Sequence, residues 1–228
     1  MTERKIEIMD STLRDGEQTN GVSFLPHEKL SIARLLLRDV KVDRIEVASA
    51  RVSEGEKDAV KMICRYANQL GCLDSVEVLG FVDGGKSIDW ICECGGRIIN
   101  LLTKGSKNHC VHQLNKTPDE HIADIVENVR MAKDKGLSVN IYLEDWSNGM
   151  IDSPEYVYHM IESLQDIGIC RFMLPDTLGI LTPKQTAVFF KDMVSRFPNT
   201  HFDFHSHNDY DLAVGNTLSA VTSGARGV

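Results

Sequence analysis

The sequence predicts an α/β fold, a (β/α)8 TIM barrel truncated before or within its eighth strand, and three observations predict it. A strand and a helix alternate about every thirty residues, as successive βα units do. Polar residues follow nearly every strand candidate, and a barrel's C-terminal face gathers such residues from many strand ends into one mouth. The first strand is not followed by the G-x-G-x-x-G turn that a doubly wound dinucleotide-binding sheet requires. An open sheet, moreover, brings together only the residues near its switch point.

Taken in order, residues 5–9 alternate apolar and polar side chains and read as the first strand. They run into Asp10-Ser11-Thr12-Leu13-Arg14-Asp15-Gly16-Glu17-Gln18, a packed set of charges. Such a cluster past a strand end is costly to hold unless a ligand or metal compensates it. The competing reading is a solvated loop with a charge run. Pro26 opens a helix over residues 27–38. Further strands are expected over 43–48, 76–81, 97–102, 138–143, 170–174 and 201–204. The helices between them carry start and stop signals. Thr117-Pro118-Asp119-Glu120 and Thr182-Pro183-Lys184-Gln185 combine a capping box with proline at the first helical position. Ser153-Pro154-Glu155 is a close relative, Ser53 with Glu56 opens another helix, and Gly136 and Gly168 are placed to close two.

No linker or composition break divides residues 1–228, which read as one catalytic domain. The composition, 42% hydrophobic and 25% charged, is that of an ordinary globular chain. A net charge of −8 argues against nucleic acid or an anionic membrane surface as partner. No apolar run approaches the roughly 18 residues of a membrane span, and Met-Thr-Glu-Arg-Lys leads into no apolar core, so no leader is expected and the location is cytoplasmic. The six cysteines are then expected as free thiols. Cys92 and Cys94 with His109, Cys110 and His112 raise the possibility of zinc. Residues 87–93 read as helix, however, where positions two apart point to nearly opposite sides, so the spacing argues against it. The chain stops at Ala225-Arg226-Gly227-Val228, where an eighth strand would begin, and seven parallel strands leave two unpaired edges. A longer protein is therefore expected.

The second chemical signal is Phe202-Asp203-Phe204-His205-Ser206-His207-Asn208-Asp209. Residues two apart in a strand share a face, so Asp203, His205 and His207 lie on one side and the phenylalanines pack outward under the helices. Two imidazoles at this spacing can chelate one divalent ion, and a carboxylate completes a two-histidine, one-carboxylate set. Asp15 is the natural third ligand.

The opening stretch, the Pro175-Asp176-Thr177-Leu178-Gly179 turn and the His205–Asp209 segment together resemble the metal-dependent acyltransferase and lyase barrels. That group includes 2-isopropylmalate, homocitrate and citramalate synthases and hydroxymethylglutaryl-CoA lyase. The resemblance runs the whole length. Within the group, the stretches from Ile45 to Ser53, Leu101 to Ser106 and Tyr142 to Gly149 look most like citramalate synthase, and fit homocitrate synthases poorly. It implies a divalent metal ion (Mn2+, Mg2+ or Zn2+) on Asp15, His205 and His207, with acetyl-CoA and a 2-oxo acid as substrates. Arg14 would face the oxygen that becomes an alkoxide, and Thr177 would hold the substrate carboxylate. Glu144 would lie near the attacking acetyl group, forming with Gln18 and Glu46 the network that removes a methyl proton. His109 matches the histidine of the family's serine-x-x-histidine. A structural ion pair of Arg14 with Asp10 or Glu46, and a capping role for Glu144, stand beside these readings. The family's G-x-G-E-R-x-G-N segment, the linker and any regulatory domain fall beyond Val228, and a homodimer is expected of the full-length protein.

Acceptor choice should turn on Leu79, Leu102 and Tyr142 at the ends of the third, fourth and fifth strands. Bulk there leaves room for a methyl and excludes an isopropyl group, favouring pyruvate (giving citramalate) over 2-oxoisovalerate (giving 2-isopropylmalate), both reactions of branched-chain amino-acid biosynthesis. Ordinary core packing is the other reading of these three. The expectation is thus an acyltransferase. A lyase on the same scaffold and an inactive metal-binding fragment are the alternatives.

Overall fold

The structure, a computed structural model, describes residues 5–228; the Met-Thr-Glu-Arg opening, read above as lacking a leader, lies outside the described residues. The chain forms two compact units: residues 7–101 with 128–139, and residues 102–127 with 140–228 and residues 5–6.

In the first unit β1 (Met9–Asp10) pairs in parallel with β2 (Arg44–Ser49), and β2 with β3 (Val76–Phe81). Both β2 and β3 are buried almost throughout, as parallel strands covered on two faces must be. The register shifts between Glu46 and Ser49, an irregularity of the kind that re-aims side chains near sites. Three helices follow the strands: α1 (Pro26–Arg34), α2 (Glu54–Leu70) and α3 (Lys86–Glu93). Helix α2 buries Val60, Ile63, Cys64 and Ala67, one stripe at helical spacing, with each large aliphatic contributing about 1.5–3 kcal/mol. Ser53 caps it by accepting the Glu56 N–H at 3.1 Å.

Two expectations are corrected here. The helix expected over 27–38 passes into π-helical turns at Leu35–Val40 and ends on the left-handed Lys41. The first strand is shorter than 5–9, because Ile8 donates to the Asp43 carboxylate at 2.9 Å and its carbonyl accepts the Asp43 and Arg44 N–H groups. The ladder with β2 begins at Met9.

β4 (Ile98–Lys104), α5 (Pro118–Asp134) and β5 (Ser138–Glu144) have residues in both units. The second unit continues with α4 (Lys107–His112), α6 (Trp146–Asp152), α7 (Pro154–Leu164), β6 (Arg171–Asp176), α8 (Pro183–Arg196), β7 (Phe202–Ser206) and α9 (Ala213–Thr222). β5 pairs with β6 and β6 with β7, all in parallel. Trp146 is fully buried, with Phe189, Phe190 and Phe204 edge-on around it. Phe202 and Phe204 pack among aromatic rings as the alternation requires. Both capping boxes form, at Thr117 with Glu120 and at Thr182 with Gln185. Ser153 is the N-cap residue of α7 with Pro154 at the first helical position, but its hydroxyl accepts the Lys107 N–H at 3.3 Å and makes no capping bond to the helix. Gly168 closes no helix either, since α7 ends at Leu164 with Gln165 as its cap.

The strands follow chain order from β1 to β7, the succession of a (β/α)8 barrel through its seventh strand. Beyond α9, Arg226 donates to the Phe202 carbonyl at 2.8 Å and Phe204 to the Gly227 carbonyl at 3.0 Å. Those bonds, with a parallel bridge of Asp203 to Gly227, are the first rungs that an eighth strand would extend. All six cysteines are free, and burial pushes the Cys64 thiol up to about 12 and Cys94 to about 11. Among the described residues no helix is long and apolar enough to cross a membrane.

Candidate active site

In the first unit the loop after β1 folds back on itself, with the Ser11 carbonyl accepting the N–H groups of Arg14, Asp15 and Gly16. This turn aims Arg14 at β2. Its Nε donates to Glu46 Oε2 at 2.5 Å and its Nη1 to Asp15 Oδ1 at 2.7 Å. Glu46 is fully buried and its other oxygen accepts the Asn100 amide at 2.7 Å. Of the two ion pairs foreseen for Arg14, the one with Glu46 forms, and Asp15 joins it. Arg14 and the exposed Gln18 line a cavity of about 390 Å3 with Glu17, Ser49, Ser53 and Glu56.

Behind this cavity stands Lys29 of α1, which the sequence reading missed. It is fully buried, its ammonium 2.5 Å from Glu17, 2.6 Å from Glu56 and 2.9 Å from the Leu13 carbonyl. Burial raises the Glu56 carboxyl above its usual range. The available signal was a lysine four residues before Ala33 on the stripe of α1 that turns inward. Leu79 is buried in β3, where its carbonyl accepts the Ala50 N–H.

The second unit carries the other predicted residues. At the end of β5, Glu144 pairs with Lys104 of β4 rather than capping a helix. The next residue, Asp145, is buried and left-handed, with φ 67°. Its N–H donates to Thr177 Oγ1 at 2.9 Å, and its carboxylate accepts from Ser106 Oγ at 2.6 Å and Asn148 Nδ2 at 2.8 Å. His109 Nε2 lies 3.4 Å from the same carboxylate. Ser106, His109, Asp145 and Asn148 line a cavity of about 660 Å3 with His112 and Leu178. The approach of these loops depends on glycine, since a Cβ on Gly105 would overlap the Leu143 carbonyl and one on Gly149 the Gly105 carbonyl.

At the end of β7, His205 Nε2 and His207 Nε2 stand 3.3 Å apart, and the Tyr142 ring meets His205 edge-on at 6.0 Å. Two imidazole nitrogens facing each other so closely either share a proton or turn both lone pairs to a cation. The second option is the donor chemistry of a divalent-ion site, so this pair fits a metal. Leu102 is half-buried within β4, which runs on to Lys104.

Polar groups at the ends of six strands in a β/α succession are the arrangement of a (β/α)8 barrel. Comparison with known proteins places it further: the HMGL-like family profile matches residues 5–228, and the chain belongs to that family. It is 34% identical over 224 residues to a probable 2-isopropylmalate synthase of Ignicoccus hospitalis, which covers 98% of this chain and 54% of that protein. Identity is again 34% to the (R)-citramalate synthase of Methanocaldococcus jannaschii (96% and 43% covered) and to a homocitrate synthase of Sulfolobus acidocaldarius (97% and 46%). The chain thus spans about half the length of the curated relatives it matches. Equal identity to the three kinds does not rank their acceptors. Among solved structures, the HMG-CoA lyase of Bacillus subtilis shares the fold with a TM-score of 0.79, at 21% identity and over 98% of this chain and 76% of that one.

Proposed function

We propose that this chain belongs to the catalytic barrel of a cytoplasmic acyltransferase that condenses acetyl-CoA with a 2-oxo acid, pyruvate first and 2-oxoisovalerate second. The observation that carries the reading is the His205–His207 pair at the end of β7, in a chain whose relatives are condensing synthases. The two histidines, with Asp15 as the carboxylate, would hold the divalent ion. Bound there, the ion would act as a Lewis acid on the acceptor's keto group.

This chain's own groups do the rest. Arg14, held by Glu46 and Asp15, presents a fixed positive charge to the keto oxygen as it gains negative charge. Thr177 donates to the acceptor's carboxylate. Glu144, with the Lys104 ammonium against it, takes part in drawing a proton from the acetyl methyl group. The methyl carbon then forms a bond to the keto carbon, and the keto oxygen takes up a proton to become a tertiary alcohol. Water cleaves the thioester, giving a carboxylate and free CoA thiol. Tyr142, packed edge-on against His205, and Leu102 favour the small methyl of pyruvate.

The test is CoA-thiol release by the full-length protein with Mn2+, acetyl-CoA and, in separate arms, pyruvate, 2-oxoisovalerate and 2-oxoglutarate. Pyruvate is expected to give the highest kcat/KM. Absence of thiol with all three acids would refute the reading, and a preference for either larger acid would overturn the acceptor assignment alone. In parallel, Mn2+ should raise the melting temperature of the wild type and not that of His207→Ala.

A further inference from the structure

Asp145 holds left-handed backbone, φ 67°, at a buried position between β5 and α6. A non-glycine residue stays in that region only where its surroundings over-determine it. Here the surroundings supply two determinants. One is the carboxylate, fixed on Oδ2 by the Ser106 hydroxyl that also caps α4, and on Oδ1 by the Asn148 amide of α6. The other is the main chain, whose N–H is delivered to Thr177 Oγ1 at 2.9 Å. Both would be lost if the residue relaxed to right-handed backbone.

The consequence lies in the chemistry of a hydroxyl. Thr177 has one O–H proton, and an amide N–H that donates into its oxygen forces that proton to point elsewhere. A free threonine rotor is otherwise as ready to accept as to donate. We propose that Asp145 is a positioning residue, whose left-handed amide sets the Thr177 hydroxyl as a donor to the carboxylate of the 2-oxo acid. The proposal rests on the reading of Thr177 given above. Asp145 acts through Thr177; its own carboxylate is engaged by Ser106 and Asn148 and serves to anchor the backbone.

A double-mutant cycle on the full-length protein, read as KM for pyruvate with acetyl-CoA saturating, separates this from a structural role. Thr177→Val removes the hydroxyl and should raise KM for pyruvate about tenfold, the scale of one hydrogen bond to a charged group, with KM for acetyl-CoA within about twofold. Asp145→Ala, which disfavours the left-handed backbone, should raise it by a similar factor in the wild type and by less than about twofold in Thr177→Val. Asp145→Asn, which tolerates the same backbone, should stay within about threefold of the wild type. If Asp145→Ala is too unstable to assay, Ser106→Ala removes one hold on the carboxylate and carries the same cycle. Full multiplication of the two effects would overturn the proposal while leaving Thr177 in its role. An unchanged KM in Thr177→Val would overturn that role and this proposal together.

Discussion

His121 links the stability of this protein to acid, and the link runs through the strand that bears Lys104. It lies on α5, 2% exposed, and its Nε2 accepts the Lys104 main-chain N–H at 3.1 Å. That bond requires a neutral ring with its proton on Nδ1. Burial, with Lys116 and Lys104 nearby, depresses the imidazole from 6.5 to about 4. The folded pKa is the lower one, so between those values the unfolded chain binds the extra proton. Stability from this group is therefore full above about pH 6.5, falls as the pH drops, and is gone below about 4. At about 1.4 kcal/mol per pKa unit, the loss approaches about 3 kcal/mol by pH 4 and is about 2 kcal/mol between pH 7 and 4.5. His121→Gln places an uncharged acceptor within similar reach of the Lys104 N–H and cannot titrate. Urea melts of both proteins at half-unit pH steps give the difference directly, and subtraction cancels the carboxylates common to both. The wild type should lose about 2 kcal/mol more than the variant from pH 7 to 4.5. Parallel curves would refute the assignment of a neutral, hydrogen-bonded His121.

Further outcomes follow from other buried groups. Lys29→Met leaves Glu17 and Glu56 facing each other without their cation and should cost about 3–5 kcal/mol in a urea melt; adding Glu17→Gln and Glu56→Gln should restore part of it, and no recovery would count against charge compensation. Gly105→Ala drives a methyl into the Leu143 carbonyl and should cost about 1–3 kcal/mol by the same measurement, with a change under about 0.5 kcal/mol showing that the loops yield. Leu102→Ala should shift relative kcat/KM from pyruvate toward 2-oxoisovalerate by about tenfold or more, and an unchanged ratio would assign Leu102 to the core alone.

What was legible in the sequence is what periodicity and spacing encode. Alternation placed Phe202 and Phe204 on one side and His205 and His207 on the other, because three of them lie on one strand with a period of two and His207 follows its last residue. Capping boxes at Thr117 and Thr182 were legible because both partners lie within one turn. Where a local signal has a distant competitor, the reading held only in part. Ser153 takes the N-cap position of α7, yet its hydroxyl goes to the Lys107 N–H, 46 residues away in sequence. Helices α4 and α6 are too short to show a period, so the cavity they line was invisible.

The same distinction separates the two kinds of residue in the candidate site. Arg14, Glu144 and His205 stand out because charged and imidazole groups at strand ends are chemically conspicuous. Lys29 and Asp145 act from behind them and leave fainter marks: a lysine on an inward helical stripe, and an aspartate whose left-handed backbone no neighbouring glycine announces. Lys29 ties the Leu13 carbonyl, one residue before Arg14, to α1, while Asp145 ties the end of β5 to Thr177, the residue after β6. In each case a buried polar group is satisfied by partners from different elements, and removing it leaves those partners unpaired. Function at strand ends is therefore written in residue type, while the precision of the ends depends on long-range polar pairing that only the folded chain displays.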